Sequence, residues 1–212
     1  MAIEQIKIGF DNFSYVIYDS HSKKAAVVDP SYNALKQVDF IKSHNLELLY
    51  VINTHYHSDH TDKNKRLLET FPQSKLVASK SDGVYLKYDV DIFVDDGDQL
   101  KLGELTLNFI STPGHTPGGV CIIVNDEAII TGDTLFIDDC GRADLPGGNV
   151  SDLYNSLQKI KTLPDNLTLF PGHDYGSKPY DTLGNQKREN KTLVAKNLEE
   201  FSKIPWLKSI KI

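Results

Sequence analysis

Five of the seven histidines in this 212-residue chain, together with Asp133, fall in four short polar segments, each following an apolar run of strand length. The segments are Thr54-His55-Tyr56-His57-Ser58-Asp59-His60, Thr112-Pro113-Gly114-His115-Thr116-Pro117-Gly118-Gly119, Thr131-Gly132-Asp133-Thr134 and Pro171-Gly172-His173-Asp174-Tyr175. Imidazole nitrogens and carboxylate oxygens are the donors that divalent transition metals take. His55 and His57 are two residues apart, so in an extended segment their rings project the same way. Asp59 and His60 follow once the chain has turned. Three nitrogens and a carboxylate within six residues are too many for one catalytic ion that must keep an open position, so the donors divide between two ions. His55 and His57 would hold one, Asp59 and His60 the other. Each ion then needs another histidine and one carboxylate can bridge both, vacancies that His115, His173 and Asp133 fill. A single Gly-His-Thr or Gly-Asp-Thr is usually only a turn. All four segments in compatible order are a much more specific signal.

The elements that must position these segments read as follows. Alternation at Ile6, Ile8 and Phe10, then from Phe13 to Tyr18, then Ala25 to Val28, predicts three short strands, with Asp11-Asn12 as polar punctuation. Leu35, Val38 and Ile41 share a helical face over Ala34 to His44, and Leu48 to Ile52 is a strand ending on the His/Asp motif. A helix is expected from Thr61 to Thr70, then a strand near Lys75 to Ala78. The middle is sheet: Gln99 to Leu102, Leu105 to Ser111, Val120 to Val124 and Ala128 to Thr131, with Asp96-Gly97-Asp98 and Asn125-Asp126-Glu127 as hairpin turns. A helix over Ser151 to Leu163 takes Ser151 as its N-cap. Leu167 to Phe170 is a strand, and a closing helix spans Gly184 to Phe201. Strands then helices, twice over, predict an α/β protein, a four-layer αββα sandwich in a single domain over 1–212.

Bulk properties narrow the function. A net charge of −6 argues against an extended nucleic-acid surface. No run approaches the ~18 apolar residues of a membrane span. Met1-Ala2-Ile3-Glu4 leads straight into a strand pattern without the features of a signal peptide, so a cytoplasmic location is expected. Cys121 and Cys140 are too few for a disulfide framework and read as small core residues. His21 and His44 read as surface residues.

From Gly9 to Asn190 the sequence resembles the metallo-β-lactamase superfamily, on Asp29, the HxHxDH of 55–60, His115, Asp133 and His173. The resemblance implies that His55, His57 and His115 bind a first metal, Asp59, His60 and His173 a second, with Asp133 bridging and Asp29 supporting the first motif. Two such ions lower the pKa of a bridging water and supply hydroxide at neutral pH, with Asp59 and Asp133 as the catalytic carboxylates. Zinc suits a thiolate leaving group; iron and manganese are alternatives. Within the superfamily the chain is similar to the glyoxalase II type (hydroxyacylglutathione hydrolase) and its compact relatives. That likeness rests on the 112–118 and 131–136 segments, Cys140-Gly141-Arg142-Ala143-Asp144-Leu145-Pro146-Gly147-Gly148, and 171–176. It implies a hydrolase of small-molecule thioesters, glutathione-derived ones among the candidates; by their own chemistry Arg142 and Tyr175, and less so Lys178, are candidates to meet a substrate carboxylate or phosphate near the cleft. Phe136 and Tyr154 are expected in core or cleft wall. Longer glyoxalase II enzymes carry a C-terminal helical extension with glutathione contacts. This sequence ends at Ile212, which leaves the thiol carrier open.

Persulfide dioxygenases share nearly all these motifs, and the rival reading is such an enzyme, with one iron on His55, His115 and Asp133. In that relative Asn-Pro-Arg commonly follows the last motif, whereas Asn190-Lys191-Thr192 stands here and leans toward hydrolase. Nuclease, β-lactamase and non-catalytic readings rank lower, lacking respectively a basic arm, a signal peptide and any missing ligand.

Overall fold

The computed structural model describes residues 2–205. Sheet one contains β1 (Ala2–Ile8), β2 (Asn12–Tyr18), β3 (Lys24–Val28), β4 (Glu47–Ile52), β5 (Lys75–Ser79) and β6 (Ile92–Val94), side by side in that order. Sheet two contains β7 (Gln99–Leu102), β8 (Leu105–Ser111), β9 (Val120–Val124), β10 (Ala128–Gly132), β11 (Thr168–Pro171) and β12 (Asp181–Thr182), again in chain order. Each sheet is thus drawn from one half of the described chain, and the crossing between them lies at 95–98.

The period of two in the strands sorts side chains into layers. Tyr15, Ile17 and Val28 point inward and meet Phe109, Ile122 and Ile130 of sheet two in a core between the sheets. Their neighbours Val16 and Val27 point outward, against Val38 and Ile41 of α1 (Leu35–Ser43) and Leu67 of α3 (Asn64–Thr70). Cys121, Ile123 and Ile129 face outward from sheet two onto Leu153, Leu157 and Ile160 of α5 (Val150–Lys161). Helix, sheet, sheet, helix: the expected four layers are present. Cys121 and Cys140 are both free and buried, and burial pushes the Cys121 thiol up to about 11 and Cys140 higher still.

Several local expectations are corrected. Phe10 lies in the β1–β2 turn and is 93% exposed, because the strand stops at Ile8 and Gly9 turns the chain with a positive φ of 56°. The 61–70 helix is two pieces, α2 (Ser58–Thr61) and α3, since the turn of α2 belongs to the ligand motif. Asp96-Gly97-Asp98 is the crossover between the sheets rather than a hairpin. Asn125-Asp126 does close a hairpin, both residues having positive φ (51° and 56°) as that turn demands. Asn149, not Ser151, caps α5: its side chain accepts from Ser151 N and Asp152 N, leaving Ser151 as a donor inside the cap. The closing helix is two, α6 (Leu183–Glu189) and α7 (Leu198–Ser202). Asn190 breaks it, its amide nitrogen donating to the carbonyls of Phe136 and Asp139 while its oxygen accepts from Thr192 N. The short β6, β12 and α4 (Lys80–Gly83) carry too few residues for a sequence pattern to reveal.

Candidate metal centre

All four chemical segments arrive at one edge of the sandwich. β3, β4 and β5 run parallel, as do β10 and β11, so their C-terminal ends lie together. Asp29 follows β3, the 54–60 motif follows β4, the His115 loop joins β8 to β9, Asp133 follows β10 and His173 follows β11. A rigid sheet therefore aims each loop into a common cleft.

Two triplets of ligand atoms result, His55, His57 and His115 in one and Asp59, His60 and His173 in the other, the atoms of each within 4.8 Å of one another. Asp133 stands between them. Its Oδ2 is 3.5 Å from His115 Nε2 and 3.3 Å from His173 Nε2, and its Oδ1 is 3.4 Å from His60 Nε2. Asp29, His55 and His60 meet the same distance criterion. The Asp29 oxygens are already taken, however, by Thr54 N at 2.8 Å, Thr54 Oγ1 at 2.6 Å and His60 Nδ1 at 3.1 Å.

Hydrogen bonds fix which nitrogens are bare. His115 Nδ1 donates to the Arg142 carbonyl at 2.6 Å, since a carbonyl can only accept. His60 Nδ1 meets Asp29, and His173 Nδ1 meets Asp11 at 3.3 Å. Each of these rings then turns its Nε2 inward, the orientation that supporting carboxylates and carbonyls give metal-binding histidines. Inside, His57 Nδ1 is 3.0 Å from His115 Nε2 and His60 Nε2 is 3.2 Å from His173 Nε2. His55 Nε2 and Asp133 Oδ1 are buried without a hydrogen-bond partner. Buried lone pairs and a carboxylate turned on one another repel unless cations lie among them. Five imidazoles and two carboxylates fit divalent zinc or iron.

The electrostatics differ between the triplets. Burial, then the neighbouring His60, holds His55 well below the usual imidazole range, and burial with His115 brings His57 down to about 4. Both are neutral donors at physiological pH. Burial also disfavours charge on His173, but Asp133 and Asp11 more than offset it and hold its pKa at about 10. His60 is raised likewise against its burial by Asp133 and Asp29. Asp133, although buried, is held well below the carboxylate range by His173 and His60. The carboxylates thus concentrate their pull for positive charge on the second triplet.

The family model of the metallo-β-lactamase superfamily matches residues 8–173, which contain every one of these donor residues. The chain belongs to the metallo-β-lactamase superfamily. The human protein named persulfide dioxygenase ETHE1, mitochondrial, is 36% identical over 195 residues, covering 91% of this chain and 75% of that protein. A hydroxyacylglutathione hydrolase from Pelagibacter ubique is 35% identical over 203 residues, covering 94% of this chain and 83% of that one. The crystal structure of ETHE1 from Myxococcus xanthus matches with a TM-score of 0.86 at 29% identity, over 97% of this chain and 92% of that one.

The remaining expected residues of this superfamily member are placed as follows. The Tyr175 ring stacks on His173 (centroids 4.6 Å apart, 7° between planes), and Phe136 meets both rings edge-on as cleft wall. Burial, then Asp11, pushes the Tyr175 phenol well up, so it stays protonated. Arg142 reaches the site through its carbonyl, while its guanidinium forks onto Asp144 at 2.6 and 2.7 Å. Lys178 pairs with Asp181 at 3.3 Å, and Tyr154 packs on Phe201 away from the cleft. His21 and His44 are exposed and apart from the cluster. Among the described residues no helix is long and apolar enough to cross a membrane.

Three contributors escaped the sequence reading. Asp11 orients His173. Asn12 donates to Asp59 Oδ2 at 3.2 Å and to the Asp59 carbonyl at 3.1 Å. Asp82 accepts from the backbone between His55 and His57. Asp11-Asn12 was legible only as a turn; its place at the same strand-end edge as the motif is the signal that could have raised it.

Proposed function

We propose that this chain is a binuclear metal-dependent hydrolase of small-molecule thioesters, glutathione-derived ones among them. His55, His57 and His115 would hold one ion, Asp59, His60 and His173 the other, with Asp133 shared. The observation that carries this reading is the pair of triplets around one carboxylate: a single-ion site would leave the buried His60 and His173, gathered with Asp59, with nothing to coordinate. Divalent ions bound there supply Lewis acidity and acidify water.

The chain's own residues supply the rest. Asp133 orients the attacking water and Asp59, whose side chain is 36% exposed, faces the cleft to accept its proton, steadied by Asn12. Tyr175 offers a protonated phenol beside His173, and Phe136 walls off water behind it. A thiolate leaves without needing a proton donor, which suits a cleft whose ionisable groups are mostly ligands. Arg142 and Tyr175 would contact the substrate, and both the ligands and the cleft belong to a single domain.

The second reading is an iron-dependent persulfide dioxygenase using His55, His115 and Asp133, supported by 36% identity to a protein of that name. One experiment separates them: elemental analysis of the purified protein beside parallel assays of S-D-lactoylglutathione hydrolysis and of oxygen uptake on glutathione persulfide. Two ions per chain with thioester turnover supports the hydrolase. One iron per chain with oxygen uptake overturns it.

A further inference from the structure

The first triplet draws on both halves of the fold, His55 and His57 from sheet one and His115 from sheet two, and both loops converge on one buried carboxylate. Asp82, in α4 just beyond β5, is 2% exposed. Its Oδ2 accepts from Tyr56 N at 3.1 Å and from Thr116 Oγ1 at 2.7 Å, and its Oδ1 accepts from Gly118 N at 2.6 Å. Tyr56 lies between His55 and His57, and Thr116 directly follows His115. Asp82 N is itself tied to Ser79 Oγ at 3.2 Å, which fixes α4 to the end of its strand. The His115 loop is pressed so closely against α4 that a Cβ on Gly118 would stand 2.3 Å from Ser79 Oγ and 2.5 Å from Asp82 N.

We propose that Asp82 is a positioning residue that sets the separation of His57 from His115, and through it the affinity of the first triplet for its ion. The inference rests on the proposed metal centre. Three donors converge on the side chain, and only a carboxylate accepts all three without presenting a donor of its own. An asparagine would turn its NH2 toward Gly118 N–H or toward the Tyr56 and Thr116 donors. His173 and Asp59 of the second triplet have separate supports in Asp11 and Asn12, while Asp29 braces both His60 and the Thr54 turn that precedes His55. Asp82 therefore acts on one ion and not the other.

The test is a chelator titration of the cobalt-loaded wild type, Asp82→Ala, Asp82→Asn and Thr116→Val, with His115→Ala marking the step that belongs to the first triplet. Melting of each metal-free protein is measured alongside. Loss of a residue that supports a metal-binding histidine typically costs about 10–100-fold in metal affinity. Asp82→Ala should weaken the marked step by that factor and shift its visible cobalt bands, with Asp82→Asn and Thr116→Val in between and the other step unmoved. Should Asp82→Ala fail to fold, the two milder variants carry the comparison. Equal weakening of both steps, no weakening, or losses that simply follow the metal-free melting temperature would overturn the role. A wild type with a single cobalt step would instead sink the two-ion reading, and Asp82 is then judged on that one step.

Discussion

Replacing Gly141 by alanine tests how tightly the Asp133 turn is held. A Cβ built on Gly141 stands 1.7 Å from the Asp133 carbonyl oxygen and 3.2 Å from His115 Nδ1. Carbon and oxygen reach ordinary contact only near 3.5 Å, so the two backbones must part by roughly 1.5–2 Å. Neither can give alone. Asp133 is placed between the triplets, and the 140–143 segment carries the Arg142 carbonyl that fixes His115. Overpacking of this kind costs about 1–3 kcal/mol of stability, less than the roughly 5–15 kcal/mol that holds a typical domain folded. The fold should survive. The site should not, because a displacement of ~1 Å at a reactive centre already costs about 100-fold in rate. We expect Gly141→Ala to melt as a cooperative protein while losing at least about 100-fold in turnover, equivalent to ~2.8 kcal/mol, with a weakened first-triplet ion. Circular dichroism melting, elemental analysis and S-D-lactoylglutathione hydrolysis measure the three quantities. A Gly141→Ala protein with wild-type metal content and turnover would refute the close approach and the shared role of Asp133 built on it.

Three further outcomes follow from other contacts. Asp133→Ala should remove both metal occupancy, read by elemental analysis, and activity; full turnover in that variant would contradict the bridging role. Asn149→Ala should cost about 1 kcal/mol by loss of the α5 cap, lowering the melting temperature by roughly 2–4 °C, whereas Ser151→Ala should change it little; the reverse order would return the cap to Ser151. Asp19 is held far below the usual carboxylate range by Ser22 and by the Glu104 and His21 amides. A carboxylate lowered in the folded state contributes stability above its unfolded pKa of ~4 and loses it as pH falls further. Melting of wild type and Asp19→Asn should therefore differ by a constant amount at neutral pH and draw together progressively as pH falls below about 4; a gap that does not narrow between about pH 4 and pH 2 argues against the linkage.

The cluster of donor side chains and the layers were legible because they depend on short-range chemistry. HxHxDH is dense enough in donors to mark a candidate metal site, and period-two alternation in segments such as Phe13 to Tyr18 reports which side chains face which layer. What escaped depends on partners distant in sequence. Asn190 ends α6 because its amide meets the carbonyls of Phe136 and Asp139, 54 and 51 residues away. Asp82 has no local pattern at all, and its importance comes from Thr116 and Gly118 across the sheets. Residue type points to Ser151 as the cap, while Asn149 has the extended backbone (φ −146°, ψ 117°) that turns its side chain onto the helix start. Arg142 stands out in the sequence for its charge, yet its carbonyl is what touches the site.

The division of the described chain into an early sheet and a late one has a consequence for assembly. A cut within 95–98 would leave each fragment a complete sheet and its outer helices, but an incomplete site. The early fragment would keep two donors of each triplet, and the late fragment would bring the third of each, together with Asp133. Rejoined, the pieces would be clasped by the ions as well as by the core between the sheets. The free metal concentration would then govern how much enzyme is assembled and not only how fast it turns over, which makes this edge of the sandwich a natural seam for a metal-gated split protein.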